Sequence, residues 1–331
     1  MHLIELEIIR YKLYNDILIL LKNHLSNILN DKEIKHLLLR YILNRNIFIS
    51  NNNNIGDHLF IILKNDNKIA DKQLKEDFEY FKINNINLQN IIQNIIIDGI
   101  KYAANYLKNL NINKINNDNG FYIFTKNNIK YFQYESDTLN NISDNYIIIK
   151  NNKITIPYYS NINYKEYDIS YVFCTLFRYK YIFIDAHSSA LDYSSYNKNT
   201  SIECFSTPFN RHHNLFCSAF PDLEFNLGSL GNFFNINKFP TQNLLINPPF
   251  DNTIMYYAII KSLKLLEQNK YNMIFTLPDW PDAEYYNLLY TSKYFIKKVY
   301  FKKGELEFTN FFTGKTYSPC ANVQIYLSNI K

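Results

Sequence analysis

Apolar residues return every three or four positions along "LEIIRYKLYNDILILLKNHL" (6–25), "DKEIKHLLLRYIL" (31–43) and "QNIIQNIIIDGIKYAANYLKNL" (89–110). That spacing places them on one stripe of a helix, so it predicts amphipathic helices packed into a common core. From Gly120 the period shortens. "FYIFTKNNIKYFQY" (121–134) and "YIIIKNNKITIPYY" (146–159) each set Asn-Asn between runs of β-forming residues, the composition of a hairpin. Further on, elements alternate. "ISYVFCTLFRYKYI" (169–182) reads as a helix and "TSIECFSTPF" (200–209) as a strand. "NLLINPPF" (243–250) is a strand, "NTIMYYAIIKSLKLLEQ" (252–268) a helix and "YNMIFTLPDW" (271–280) a strand. Alternation of this kind predicts an α/β sheet. The expected organisation is an all-α domain over 1–115 followed by an α/β domain over 116–331, the latter including the hairpin segment 116–160. No internal repeat is present.

Composition supports the division. All nine prolines, all four cysteines and the single tryptophan lie at Pro157 or beyond, while the first 115 residues hold only Gly56 and Gly99. A chain of 331 residues, 47% hydrophobic, suffices for one large core or two modest ones. No run of about 20 apolar residues occurs, so no membrane contact is expected. The opening "MHLIELEIIRYK" lacks the basic-then-apolar layout of a secretory signal. Cys174, Cys204, Cys217 and Cys320 show neither CxxC pairing nor metal-finger spacing and read as reduced thiols. The expectation is an intracellular protein, with cytoplasm and nucleus both open and the cytoplasm slightly favoured. A formal charge of +5 is no more than mildly basic, and a solvated surface accounts for it as well as nucleic acid does.

The stretch richest in chemistry is Asn247-Pro248-Pro249-Phe250, at the end of an apolar strand and directly before a helix. Ligands of open α/β sheets sit beyond the carboxyl ends of the strands. Two adjacent prolines remove two backbone donors and fix two φ angles. An exocyclic amine on a base is a weak nucleophile because its lone pair is delocalised into the ring. Two acceptors aimed at its N–H bonds favour the more tetrahedral nitrogen of the transition state, and the Asn247 side chain and the Pro248 carbonyl are candidates for them. Phe250 is a candidate for stacking on the base. In so Asn-rich a chain the same four residues also read as a plain strand end.

The order of motifs is more specific. "ECFSTPFN" (203–210), "FCSAFPDLEFNLGSLGNFF" (216–234), "INPPF" (246–250), "FTLPDW" (275–280) and "SPCANVQIYLSN" (318–329) follow one another. This series resembles the cap-specific adenosine N6-methyltransferase family, the phosphorylated-CTD-interacting factor proteins. The resemblance is strong from about Ile202 to Trp280, fainter to the C-terminus and only architectural before Tyr164. It implies a class I (Rossmann-like) methyltransferase fold preceded by a helical domain. It also implies S-adenosylmethionine as cofactor, the 5′ end of capped mRNA as partner, and catalysis by Asn247, Pro248, Pro249 and Phe250. The implied product is the N6-methylated form of the (2′-O-methyl)adenosine that follows a 7-methylguanosine cap. The chain has no room for the WW domain of the animal members, so no WW-mediated polymerase contact is expected. A monomer is.

The glycine-rich loop common among nucleotide folds is missing, leaving Gly228 and Gly231 between the two key strands. Gly228 is a cofactor candidate or part of a plain loop. Glu203 is the best acid for ribose hydroxyls, since a carboxylate can accept both hydrogen bonds. Asn210 and Asp222 are candidate polar contacts to the cofactor. Phe220 either packs on its adenine or belongs to the core. Trp280 either stacks on RNA or is a core residue. Arg178, one of five arginines, is a candidate for phosphate or the cofactor carboxylate, or else for a surface ion pair. His212 and His213 lack a third ligand at metal spacing, so no metal is expected. The rival readings are N6-adenine methylation of internal RNA or DNA, another amine substrate, and a methyltransferase-like module that only binds RNA.

Overall fold

A computed structural model describes residues 2–48, 59–60, 62–63, 66–110, 120–125, 128–133, 146–149, 152–155, 167–182, 189–191, 200–310 and 316–330. The chain divides into two compact units. The first takes 1–45, 54–158 and 163–184, and the second takes 46–53, 159–162 and 185–331.

The helices of the first unit are α1 (His2–Leu25), α2 (Asp31–Arg45), α3 (Asp66–Tyr80), α4 (Ile86–Asn109) and α5 (Ile169–Ile182). Asn85 caps α4, its side chain accepting from the amides of Asn87 and Leu88, the exchange that suits asparagine to this position. Leu21, Leu25, Leu37, Ile42, Ile92 and Ile96 are buried, as the helical period predicts. Gly99 lets α4 close on α1, because a Cβ there would lie 2.8 Å from Ile17 Cγ1. Among the described residues the unit also holds four strands: β1 (Gly120–Thr125), β2 (Asn128–Gln133), β3 (Tyr146–Ile149) and β4 (Asn152–Thr155), in the order β2-β1-β3-β4. The hairpins close on Thr125–Asn128 and Ile149–Asn152. The second residue of each Asn-Asn pair therefore already belongs to the returning strand.

Compactness groups α5 with the helices that open the chain, and a buried charge cluster gives the physical reason. Glu7 on α1 is fully buried and accepts from Arg178 Nε at 2.8 Å, Arg178 Nη2 at 2.6 Å and Tyr181 Oη at 2.6 Å, all on α5. Arg10 adds a fourth contact at 3.0 Å. Rings of Tyr11, Tyr14, Phe177 and Tyr181 surround the cluster with centroid separations of 5.2–5.5 Å. α5 thus folds with the helices although it follows the hairpins in the chain.

In the second unit, β6 (Ile202–Glu203), β7 (Leu215–Phe216), β8 (Asn243–Ile246), β9 (Asn272–Pro278), β10 (Phe295–Phe301) and β13 (Asn322–Ser328) form a sheet ordered β10-β13-β9-β8-β6-β7. Strands β7, β6, β8 and β9 are parallel neighbours. β13 is antiparallel to both β9 and β10 and is the reversed strand of this sheet. A second sheet of three short strands, β5 (Ser189–Leu191), β11 (Phe308–Asn310) and β12 (Thr316–Tyr317), is antiparallel. Helices α6 (Pro221–Glu224), α7 (Asn252–Gln268) and α8 (Glu284–Tyr290) complete the unit. Alternation along β9 sends Met273, Phe275 and Leu277 into one apolar cluster with Met255 and Ile259 of α7 and Leu289 of α8. The strand expected over 200–209 is only the two residues of β6. The side chains that follow it bind the chain back on itself, as described below.

Candidate active site

The carboxyl ends of β6, β8 and β9 lie on one edge of the sheet, because Glu203 pairs with Leu245 and Ile246 with Phe275. Each end carries residues singled out from the sequence.

After β8, Asn247 is half-buried and makes no hydrogen bond among the described residues. That sets it apart from nearby asparagines such as Asn210 and Asn232, whose side chains are bonded to the backbone. Pro248 is buried. The Pro249 carbonyl accepts from the Asp251 amide at 2.7 Å, whereas the Pro248 carbonyl accepts no backbone hydrogen bond among the described residues. Asp251 caps α7 through the Ile254 amide at 3.0 Å, which pins the turn to the helix that follows. Parallel register sets Asn247 beside Thr276. The hydroxyl of Thr276 and the Oδ1 of Asn322, whose residue pairs with Pro278, are buried without a partner among the described residues.

After β9, the Asp279 carboxylate accepts from the Tyr286 hydroxyl and lies 3.6 Å from the Lys298 ammonium. Lys298 also donates to the Tyr286 oxygen at 2.7 Å and sits over the rings of Tyr286 and Tyr290. Burial, then the hydrogen bond to Asp279, pushes the Tyr286 hydroxyl well above its ordinary value, so it stays a donor. The next residue after Asp279 is Trp280, 36% exposed, whose indole meets the Phe250 ring. Phe250 also packs edge-on against Phe308, with centroids 5.6 Å apart. Tyr286 and Lys298 escaped the sequence reading because nothing in "EYYNLLY" or "FIKKVYF" separates them from their neighbours.

After β6, Glu203 is 6% exposed, and its Oε1 accepts from the amides of His212 at 2.7 Å and His213 at 3.2 Å. Asn210 Oδ1 accepts from the Thr207 amide at 2.7 Å and the Ser206 hydroxyl at 2.9 Å. Both side chains expected to meet the cofactor are at work on the loop between β6 and β7. His213 Nε2 lies 2.9 Å from Thr200 Oγ1, and burial lowers the affinity of its imidazole for a proton.

Beyond β7, Phe220 is fully buried and its amide donates to Glu224 Oε2 at 2.8 Å. It is a core ring. Asp222 is half-buried in the first turn of α6, and Gly228 is exposed with φ of 90°. Gly231 has φ of 108°, and its carbonyl accepts from the Ser218 amide at 2.9 Å. Both conformations favour glycine. Asn46 also belongs here: its side chain donates to the Ala219 carbonyl at 3.2 Å and its carbonyl accepts from Asn232 at 3.1 Å. No local signal in "LNRNIF" marks that role.

Arg178 takes a different place from the one expected. It is fully buried in the first unit with its guanidinium on Glu7, so it forms neither a surface ion pair nor a phosphate site. Among the described residues no group of three or more His, Cys, Asp or Glu side chains is placed to hold a metal ion. All four cysteines are free. No helix among the described residues is long and apolar enough to cross a membrane.

Residues 158–310 match the family model described as phosphorylated CTD interacting factor 1 WW domain. That match supports the phosphorylated-CTD-interacting factor family. The matched range covers the loop after β6, Asn247–Phe250 and Trp280 and ends before the last motif, 318–329. The words "WW domain" in that description do not describe the fold here, since the matched span holds one tryptophan and its described part contributes most strands of the parallel sheet.

Proposed function

We propose that this chain is an RNA methyltransferase that moves a methyl group from S-adenosylmethionine to N6 of the adenosine following a 7-methylguanosine cap. One observation carries the chemistry: the Asn247 amide and the Pro248 carbonyl stand together at the carboxyl end of β8, neither committed to another described group. The amine of adenine is a donor with a delocalised lone pair. Two acceptors held by a rigid Pro-Pro turn draw its hydrogens out of the ring plane and leave the lone pair free to attack. The orphaned oxygens of Thr276 and Asn322 at the same end of the sheet fit a ligand that brings donors. Phe250 and Trp280 supply ring surface for the base. The proton leaves the nitrogen after the methyl has arrived, so no strong base is required beside it.

A class I methyltransferase fold is supported by four parallel neighbours with one reversed strand before the edge strand. The bound cofactor would supply an electrophilic methyl on a sulfonium. Asp222 and Gly228, beside the end of β7, are the residues proposed to meet it. The RNA cap as substrate rests on the family resemblance.

The test is mass spectrometry of nucleosides from a short RNA beginning with 2′-O-methyladenosine, incubated with the protein and S-adenosylmethionine. N6-methylation of the capped RNA far above the uncapped one is expected. Equal methylation of both would remove the cap from the account but leave the amine chemistry standing.

A further inference from the structure

We infer that Glu203, Thr207 and Asn210 are positioning residues. They shape the segment 204–214 into a cofactor loop without glycine, and they fit that loop to a nucleoside that carries no phosphate. This rests on the methyltransferase reading above.

A glycine-rich loop works by turning its backbone N–H groups toward a ligand, most often a phosphate. The segment here, "CFSTPFNRHHN", has no glycine, and no residue in it has a positive φ. Its shape comes from side-chain oxygens that each take two donors. Glu203 Oε1 takes the amides of His212 and His213. Thr207 Oγ1 takes those of Phe209 and Asn210, both at 3.1 Å. Asn210 Oδ1 takes the Thr207 amide and the Ser206 hydroxyl. The sheet holds the start of the segment, with the Ser206 amide on the Cys217 carbonyl at 3.0 Å and the Cys204 amide on Leu245 at 2.8 Å.

The consequence is chemical. The amides of 206, 207, 209, 210, 212 and 213 are all consumed within the protein, and residue 208 is a proline. An anion set against this loop would find no run of successive N–H groups turned toward it. A nucleoside with an uncharged linkage to its sulfur requires none, so the loop discriminates against dinucleotides and nucleoside triphosphates.

Calorimetry with S-adenosylhomocysteine and with ATP, together with amide hydrogen exchange, tests this on the full chain. Glu203→Gln keeps an oxygen for both amides, so its S-adenosylhomocysteine affinity should stay within about threefold of wild type. Glu203→Ala leaves two part-buried donors without their acceptor and should weaken binding by about tenfold or more, with faster exchange at His212 and His213. Thr207→Ser and Thr207→Val should repeat that contrast at Phe209 and Asn210. Wild-type affinity for ATP should be far below that for S-adenosylhomocysteine. Equal losses in Glu203→Gln and Glu203→Ala with unchanged loop exchange would overturn the inference and return Glu203 to direct contact with the ribose. Tight ATP binding would also overturn it. A wild-type protein that binds no S-adenosylhomocysteine would overturn the methyltransferase reading and this inference together.

Discussion

The Phe250 ring meets the indole of Trp280 edge to face, with centroids 6.4 Å apart and planes at 71°. The ends of two adjacent parallel strands are joined by this contact, so the turn holding Asn247 and the tip of β9 form one aromatic wall. Phe250→Ala should weaken RNA binding and slow turnover together, since ring stacking on a base contributes roughly 1–3 kcal/mol in single-strand complexes. Trp280→Ala should act in the same direction and less than additively with it, because each ring supports the other. A double-mutant cycle on RNA affinity checks this, and strict additivity would contradict it.

Asp279, the residue before Trp280, is held by the Tyr286 hydroxyl and lies beside Lys298. Tyr286→Phe removes the hydroxyl that donates to Asp279 and accepts from Lys298. The expected cost is about 1 kcal/mol of stability, the typical net worth of such a bond, together with a raised KM for RNA. Urea unfolding and steady-state kinetics on the same variant measure the two effects.

Much of this architecture was legible in the chain itself. The period of three to four apolar residues located α1, α2 and α4, and "NTIMYYAIIKSLKLLEQ" coincides with α7. Strands β8 and β9 were equally plain, because an apolar run ended by proline has few other readings. What could not be read was pairing at a distance. Glu7 looks like an exposed glutamate between helical turns, and only its burial against Arg178 shows that it fixes α5 among the helices. Glu203 and Asn210 stand out in the sequence as candidate cofactor contacts. Their hydrogen bonds to the loop depend on a backbone path that no local pattern encodes.

That buried pair predicts a stability effect confined to the fold. Arg178→Met leaves the buried Glu7 carboxylate with Arg10 and Tyr181 alone, a loss of up to about 3–5 kcal/mol in comparable cases. Replacing Glu7 as well, as Glu7→Leu with Arg178→Met, should restore only part of it, because Arg10 and Tyr181 lose their shared carboxylate. Thermal melts of the two variants beside the wild type decide the matter, and a stable Arg178→Met protein would contradict the pairing.

His213 predicts a pH dependence. Burial holds its folded pKa below the ordinary imidazole value, so as pH falls the unfolded chain takes up the proton first. Its contribution to stability is complete above about pH 6.5, the unfolded value, and is lost as pH drops through the lower folded one. The melting temperature should therefore fall on mild acidification. His213→Gln keeps a partner for Thr200 and should flatten that part of the curve, and an unchanged slope would count against the assignment.

The most direct test sets Asn247→Ala beside the wild type in single-turnover methyl transfer to capped RNA, with melting temperature measured on the same samples. If the Asn247 oxygen accepts a hydrogen bond from the reacting amine, the rate should fall by at least about 100- to 1,000-fold, the loss seen when one preorganised group is removed. Melting temperature and S-adenosylhomocysteine affinity should stay close to wild type. An Asn247→Ala protein that melts normally and still methylates at the wild-type rate would contradict the mechanism.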